Sequence, residues 1–171
     1  MTEQAPVSPV DVAALAQRLE AAFEKVRVER MHDVPILNPK LRVEAVGLRP
    51  WNGCVLGALV TPWFINLVVL PGEGPWRSIR PTESLWYAFT SGRFQFIAGD
   101  EPGLGEYHAC SLLSPVLEFA DHETARETAR VAIESLFDPT LLGEAPPPPD
   151  GDEPESVSRR NFLRGASGSR P

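Results

Sequence analysis

Only a handful of side chains in this sequence are of the types that carry out catalysis or bind metals. The 171 residues include three histidines, His32, His108 and His122, and two cysteines, Cys54 and Cys110. No histidine lies four positions from another, and two widely separated cysteines cannot form a CxxC zinc site or a disulfide framework. We therefore expect no metal and no cofactor, and we interpret His32 and His122 as polar surface residues.

His108 and Cys110 could act together, because residues two apart on a strand point to the same face. Their side chains would be ~7 Å apart, which is far for the direct hydrogen bond that activates a thiol. We interpret Cys110 as a buried structural residue and assign no catalytic residue. The G-x-S-x-G, Walker and G-x-G-x-x-G motifs are also missing from the sequence, which favours a binding protein. A small redox or metal-handling protein that uses Cys110 and His108 is the alternative.

The charge balance and the hydropathy argue against two classes of partner. Sixteen Lys and Arg residues against 23 Asp and Glu residues give a net charge of −7, so we expect no nucleic-acid partner. The most apolar run, residues 55–70, is interrupted by polar residues, glycine and proline and is shorter than the ~20 residues of a membrane span. Residues 1–8 lack the features of a targeting segment, and two isolated cysteines suit a reducing compartment, so we expect a cytoplasmic protein.

The apolar periodicity predicts a helix at each end of the body and strands between them. The first helix covers residues 9–28 with Ser8 as its cap, and the second covers residues 122–136 with Asp121 as its cap. Six strands are predicted, at residues 41–46, 54–60, 63–70, 85–90, 93–98 and 107–113. This order favours an α+β fold with a mainly antiparallel sheet flanked by an N-terminal and a C-terminal helix.

Four tryptophans are the most prominent candidates for packing and contact. We expect Trp63 and Trp86, on strands, to lie in the core. Trp51 and Trp76 fall on predicted loops, where a large amphipathic ring can be a partly exposed contact.

The last part of the chain differs in composition from the rest. Six of the 18 prolines fall within residues 146–171, with few bulky apolar side chains beside them. Such a segment cannot bury enough apolar surface to offset its ordering entropy. We therefore divide the chain into a folded domain, residues 1–143, and a disordered or extended tail, residues 144–171.

The tail contains a motif that resembles the twin-arginine export signal, S-R-R-x-F-L-K. The matching residues are Ser158, Arg159, Arg160, Phe162, Leu163 and Arg164. A working signal continues into an apolar stretch, which does not follow here, so this segment cannot direct export by itself. We interpret it as an imitation of a signal peptide, with a chance basic cluster as the alternative.

Three segments of the body form a distinctive combination: Met-His-Asp after the first helix, Thr-Pro-Trp between two strands, and a Tyr-to-Pro run in the last strand. The residues that we assign to partner binding in these segments are Met31, His32, Asp33, Thr61, Pro62, Trp63, Tyr107, Cys110, Ser111, Ser114 and Pro115. With these segments and its tail, the sequence resembles the HybE/HupJ family of [NiFe]-hydrogenase assembly chaperones.

The resemblance implies a non-catalytic assembly and proofreading chaperone. Its partner would be the precursor of the large hydrogenase subunit, of the small subunit or of both, bound before twin-arginine export. A twin-arginine signal peptide is a further partner that the tail suggests. We expect the Thr-Pro-Trp and Tyr-to-Pro segments to form one surface or groove, with Trp63, Tyr107 and Ser111 close together.

Overall fold

Two helices and six strands form the domain in a computed structural model that describes residues 10–141. The elements are α1 (Val12–Arg30), β1 (Glu44–Trp51), β2 (Cys54–Val60), β3 (Ile65–Pro71), β4 (Ser84–Phe89), β5 (Gly92–Glu101), β6 (Gly105–Leu113) and α2 (His122–Ser135), followed by a short 3₁₀ turn, Pro139–Leu141. Ser8, Pro9 and the whole twin-arginine-like motif lie outside the described residues. The predicted α+β class is confirmed for the described part.

The six strands form one sheet in the order β1-β2-β3-β6-β5-β4, and every neighbouring pair is antiparallel. The hairpins β1–β2, β2–β3, β4–β5 and β5–β6 are local, whereas β3 and β6 are joined across a long stretch of sequence. The strand β3 lies in the interior of the sheet and is apolar on both faces, as its sequence predicted.

The alternation along β2 and β3 divides the apolar side chains between two cores, one on each face of the sheet. On one face, Leu19 and Phe23 of α1 pack in a cluster with Leu59 and Val68. On the opposite face, residues of α2 join a larger cluster, with Leu56, Leu67, Ala129, Ile133 and Leu136 among its buried members. Fully burying a Leu or Phe side chain stabilises a fold by ~1.5–3 kcal/mol, so both helices are held mainly by these faces.

Most element boundaries differ from the sequence predictions by one or more residues, and for two of them the structure shows the reason. The helix α1 begins at Val12, and Asp11 is its cap, because the Asp11 carboxylate accepts a hydrogen bond from the Ala14 N–H at 3.0 Å. The first strand was predicted at residues 41–46 but runs from Glu44 to Trp51. A bulge at Gly47, whose φ is +64°, shifts the register and hides the alternation that would have revealed the second half of the strand.

The predicted positions of the four tryptophans are confirmed in part. Trp63 is buried in the core, as expected. Trp86 is half-buried rather than a core residue, because it lies on the outer face of the edge strand β4 with the Arg93 guanidinium 5.4 Å from its ring centre. Trp51 ends β1 instead of lying on a loop, and Trp76 is on a loop but packs against the core on the α2 side.

Candidate functional site

The Thr-Pro-Trp segment forms the tight connection between β2 and β3. The Thr61 N–H donates to the Phe64 carbonyl at 2.9 Å, and the Thr61 hydroxyl accepts from the Trp63 and Phe64 N–H groups at 3.3 and 3.0 Å. Pro62 follows Thr61, the position where its fixed φ suits a turn. The turn therefore satisfies its own buried polar groups, and Thr61, Pro62 and Trp63 are all buried.

A buried asparagine joins this turn to two other segments. The Asn38 N–H donates to the Pro62 carbonyl at 2.8 Å, and the Asn38 side-chain amide donates to the Val116 and Phe119 carbonyls at 2.9 Å each. The loop after α1, the Thr-Pro-Trp turn and the segment after β6 are thus held together at one end of the sheet. Our sequence reasoning missed Asn38, although Asn before Pro39 is a turn signal that could have drawn attention to it.

The segment that follows β6 completes this region. The Ser114 hydroxyl donates to the Trp63 carbonyl at 3.4 Å, and the peptide bond between Ser114 and Pro115 is cis. Ser114 and Pro115 are exposed. We call residues 61–63 and 111–115 the motif end of the domain; residues 31–33 precede the loop in which Asn38 contacts it.

The Met-His-Asp segment ends α1. The Met31 N–H donates to the Val26 carbonyl at 3.2 Å, and Met31 packs against the same apolar cluster that contains Trp63. His32 and Asp33 contact each other at 2.9 Å, and their side chains are 59% and 89% exposed. The segment therefore presents a polar pair to solvent beside a half-buried apolar anchor.

Burial divides the residues that we assigned to partner binding into two groups. Thr61, Pro62, Trp63 and Cys110 are buried, so they shape the domain and cannot contact a partner while it stays folded. The accessible members are Met31, His32, Asp33, Tyr107, Ser111, Ser114 and Pro115.

Trp63 and Tyr107 lie on the same face of the sheet but are separated by two other rings. The Trp63 ring is 5.4 Å from Phe64, which is 6.0 Å from Phe23, which in turn is 5.6 Å from Tyr107. Ser111 is paired with Asn66 of β3. The three residues that we expected close together are therefore connected through the α1-side cluster and the sheet, not by direct contact.

Beyond this cluster, the same face of β4, β5 and β6 is only partly covered. Ile97 is 44% exposed, and the Gln95 amide donates to the Ser84 hydroxyl at 2.9 Å on the surface. We call this region the open sheet face; its members are Ser84, Trp86, Ala88, Arg93, Gln95, Ile97 and Ser111.

His108 and Cys110 lie on the other face of β6, in the core beside α2. The His108 Nδ1 is 2.7 Å from the Tyr87 hydroxyl, and its ring stacks on Trp76 at 4.3 Å. Burial lowers the pKa of His108, which favours the neutral ring. Residues 10–141 contain no group of three or more His, Cys, Asp or Glu side chains arranged to hold a metal ion. This arrangement is that of a packed core histidine that is hydrogen-bonded through Nδ1, while its buried Nε2 has no partner within residues 10–141.

His122 was predicted at the surface and is buried instead. Its Nδ1 accepts the Arg42 N–H at 3.2 Å, so its Nε2 carries the proton and donates to Glu44 at 3.1 Å. Arg126 of α2 makes two hydrogen bonds to the same carboxylate, at 2.5 and 2.8 Å, and holds the pKa of Glu44 at about 2. The histidine is buried because it joins the start of α2 to β1.

Comparison with known proteins points to one family. A family model described as "[NiFe]-hydrogenase assembly, chaperone, HybE" matches residues 14–165. The chain is 37% identical to the hydrogenase expression/formation protein HupJ of Bradyrhizobium diazoefficiens, over 96% of both chains. It is 36% identical to the protein HoxT of Cupriavidus necator, over 87% of both chains.

A solved structure shares the fold. The solution structure of HybE from Escherichia coli superposes with a TM-score of 0.62 at 24% identity, covering 90% of this chain and 93% of that one. Within the residues described here, neither helix combines the length and the apolar character needed to cross a membrane.

Proposed function

The chain belongs to the HybE family of [NiFe]-hydrogenase assembly chaperones, and we propose that it binds the precursor of a hydrogenase large or small subunit through its motif end. As a member of this family the protein is a non-catalytic assembly factor. The proposal adds a client and a surface: an incompletely assembled subunit, held by the accessible residues of the motif end and of the Met-His-Asp segment until assembly has advanced.

The observation that carries this proposal is the convergence of the motif segments. Residues 61–63 and 111–115 are far apart in sequence, yet the Ser114 hydroxyl contacts the Trp63 carbonyl, and the buried Asn38 links the loop after α1 with the Thr-Pro-Trp turn and the segment after β6. Buried polar groups with complete hydrogen bonding make such a junction rigid. Rigid presentation lowers the ordering entropy that a binding surface loses when a partner docks.

The accessible side chains suit protein recognition. His32 and Asp33 offer both a donor and an acceptor, while Pro115 and the half-buried Met31 offer apolar contact. A mixed surface of this kind, supported by a buried aromatic residue such as Trp63, is typical of reversible protein–protein contacts.

We further propose that the client is bound in the cytoplasm, before twin-arginine export. The support is the tail motif at Ser158, Arg159 and Arg160, which resembles the signal that directs folded proteins to that route. A tail of this kind would compete with, or report on, a genuine signal peptide. Replacing Arg159 and Arg160 by lysine would keep the charge and remove the bidentate guanidinium geometry.

The direct test is a binding measurement with purified large- and small-subunit precursors. We expect the full chain to bind at least one of them. The double variant His32→Ala with Asp33→Ala, and separately Ser114→Ala, should weaken that binding, because these side chains are exposed and contribute little to stability. Arg80→Ala is the matched control, since Arg80 is exposed and pairs only with Glu83 among the described residues.

Failure of the unmodified chain to bind either precursor would overturn the proposed function. Binding that is unchanged in both the His32/Asp33 and the Ser114 variants would move the contact surface elsewhere on the domain.

A further inference from the structure

The sheet has two edge strands, and β1 is protected against pairing with another chain. Its register shifts between Val46 and Arg49, Gly47 has a φ of +64°, and Pro50 lacks an N–H group. Bulges and prolines are the usual devices that keep an edge strand from adding a further strand. Both helices also pack against β1.

The other edge strand, β4, has none of these devices. Its register against β5 is unbroken from Ser84, opposite Ile97, to Phe89, opposite Gly92. Its sequence, SLWYAF, contains no proline and no charged residue. An edge of this kind is a template for a further strand.

The hairpin geometry identifies which backbone groups of β4 point outward. Phe89 and Gly92 flank a two-residue turn and form a hydrogen-bonded pair. Because hydrogen-bonded and non-hydrogen-bonded pairs alternate along an antiparallel ladder, the residues of β4 that bond to β5 are Phe89, Tyr87 and Leu85. The Ala98 N–H donates to the Glu83 carbonyl at 2.8 Å, which continues the same alternation because Glu83 is two residues before Leu85. Residues 84, 86 and 88 therefore direct their N–H and C=O groups away from β5. Within residues 10–141 these outward groups have no hydrogen-bond partner.

The side chains beside this edge specify the chemistry of a partner. Trp86 and Ile97, on the open sheet face, offer partly exposed apolar surface. Arg93 lies over Trp86, and within the described part of the chain its guanidinium has no carboxylate partner, unlike those of Arg30 and Arg126. A strand added to β4 would meet alternating apolar surface and one uncompensated positive charge.

We infer that the β4 edge binds an extended segment of the hydrogenase precursor as a seventh strand, with apolar side chains on Trp86 and an acidic side chain beside Arg93. This inference rests on the proposed function and adds the manner in which the client is held. Main-chain hydrogen bonds would give affinity for any extended segment, and the apolar surface with Arg93 would give selectivity.

A second copy of this chain fits the edge less well as the occupant. Six residues at ~3.3 Å each give a strand ~20 Å long, and a strip of that length and ~10 Å height covers ~200 Å² per partner. A stable interface needs ~800 Å² per partner. The edge alone is therefore suited to a weak and reversible contact, which is what the handover of a client requires.

The edge is also continuous with the motif end. Ile97 of β5 pairs with Ala109 of β6, and Ser111 lies two residues further along β6 on the same face. A segment bound at β4 would thus have two strands, β4 and β5, between it and Ser111, a distance of ~14 Å that one client could span to occupy both surfaces.

The test is amide hydrogen exchange of the full chain, alone and in complex with whichever purified precursor it binds. Exchange would be quenched, the precursor removed, and the remaining amide protons read by NMR. We expect exchange at Trp86 and Ala88 to slow at least tenfold in the complex. The Tyr87 amide, already bonded to β5, is the internal control and should change little.

A pair of variants tests the same inference by measuring the affinity for the precursor. Ala88→Pro removes an outward N–H without breaking the bonds between β4 and β5, whereas Ala88→Thr keeps that N–H at the same exposed position. We expect at least tenfold weaker precursor binding for the proline variant and a change within about twofold for the threonine variant. Should Ala88→Pro fail to fold by circular dichroism, the exchange measurement on the unmodified chain decides.

The outcomes separate this inference from the proposed function. If the unmodified chain binds no precursor, the proposed function itself fails. If it binds but Trp86 and Ala88 show no protection, or Ala88→Pro binds like Ala88→Thr, the edge inference is overturned and the proposed function stands. Protection of these amides in the free chain, with a doubled mass by light scattering, would assign the edge to a second copy and also overturn the inference.

Discussion

Replacing Asn38 by alanine is the most informative single perturbation of the motif end. The Asn38 side chain is 3% exposed and makes three hydrogen bonds: to the Val116 and Phe119 carbonyls at 2.9 Å each, and from the Lys40 N–H at 3.0 Å. Each such bond stabilises a protein by ~1 kcal/mol net, and a buried carbonyl that loses its donor adds a desolvation cost. We therefore expect Asn38→Ala to lower the free energy of unfolding by about 3 kcal/mol.

Urea unfolding followed by tryptophan fluorescence measures this loss, and an unchanged dependence of stability on urea would show that the folded state stays compact. Asn38→Asp should be at least as destabilising at pH 7, because it places a carboxylate oxygen against two carbonyl oxygens. Asn66→Ala is the matched control, since the buried Asn66 Oδ1 has no hydrogen-bond partner within residues 10–141. A loss below about 1 kcal/mol for Asn38→Ala, or a stable Asp variant, would refute the view that Asn38 holds the motif end together.

Three further predictions concern stability and titration. Because Arg126 holds the pKa of Glu44 at about 2, below its ordinary 4.5, stability should fall as the pH drops from 4.5 towards 2, by about 2 kcal/mol after allowance for solvent screening. Acid unfolding of Glu44→Gln, in which that pH dependence should be smaller, checks this. Burial raises the pKa values of Tyr87 and Tyr107 to about 12 each, so absorbance at the tyrosinate band should stay flat at pH 10–11 in the folded protein and rise in the urea-unfolded one. Thr61→Val removes the hydroxyl that organises the β2–β3 turn and should cost about 2 kcal/mol in urea unfolding, whereas Thr61→Ser, which keeps the hydroxyl, should cost less than half of that.

The sequence was sufficient for the fold class because the elements have strong local signals. The interior strand β3 is apolar on both faces, the second helix has a good cap in Asp121, and the Phe94–Phe96–Ala98 alternation is regular. Each of these signals depends on near neighbours in sequence, which is the range over which periodicity can be read. The bulge in β1 shifted the alternation by a residue, and so the second half of that strand was not predicted.

The arrangement of the site depends on contacts between residues far apart in sequence, which periodicity cannot show. His122 looks like a surface residue because its burial depends on Glu44, 78 positions away. Asn38 was missed for the same reason, since its partners Val116 and Phe119 follow the last strand. The motif residues Thr61 and Cys110 were assigned to partner binding from a resemblance, which identifies important positions but does not distinguish buried from accessible ones.

Substitutions at buried motif residues and at accessible ones should therefore affect client binding in different ways. The buried motif residues, such as Thr61 and Trp63, can affect a client only through the stability or the geometry of the surface they support. The accessible residues, such as His32 and Ser114, can affect client binding with little change in stability. A plot of binding loss against stability loss should therefore separate the two groups. If buried and accessible substitutions fell on one line, the motif end would act as a folding element alone, and the open edge of β4 would become the stronger candidate for the client contact.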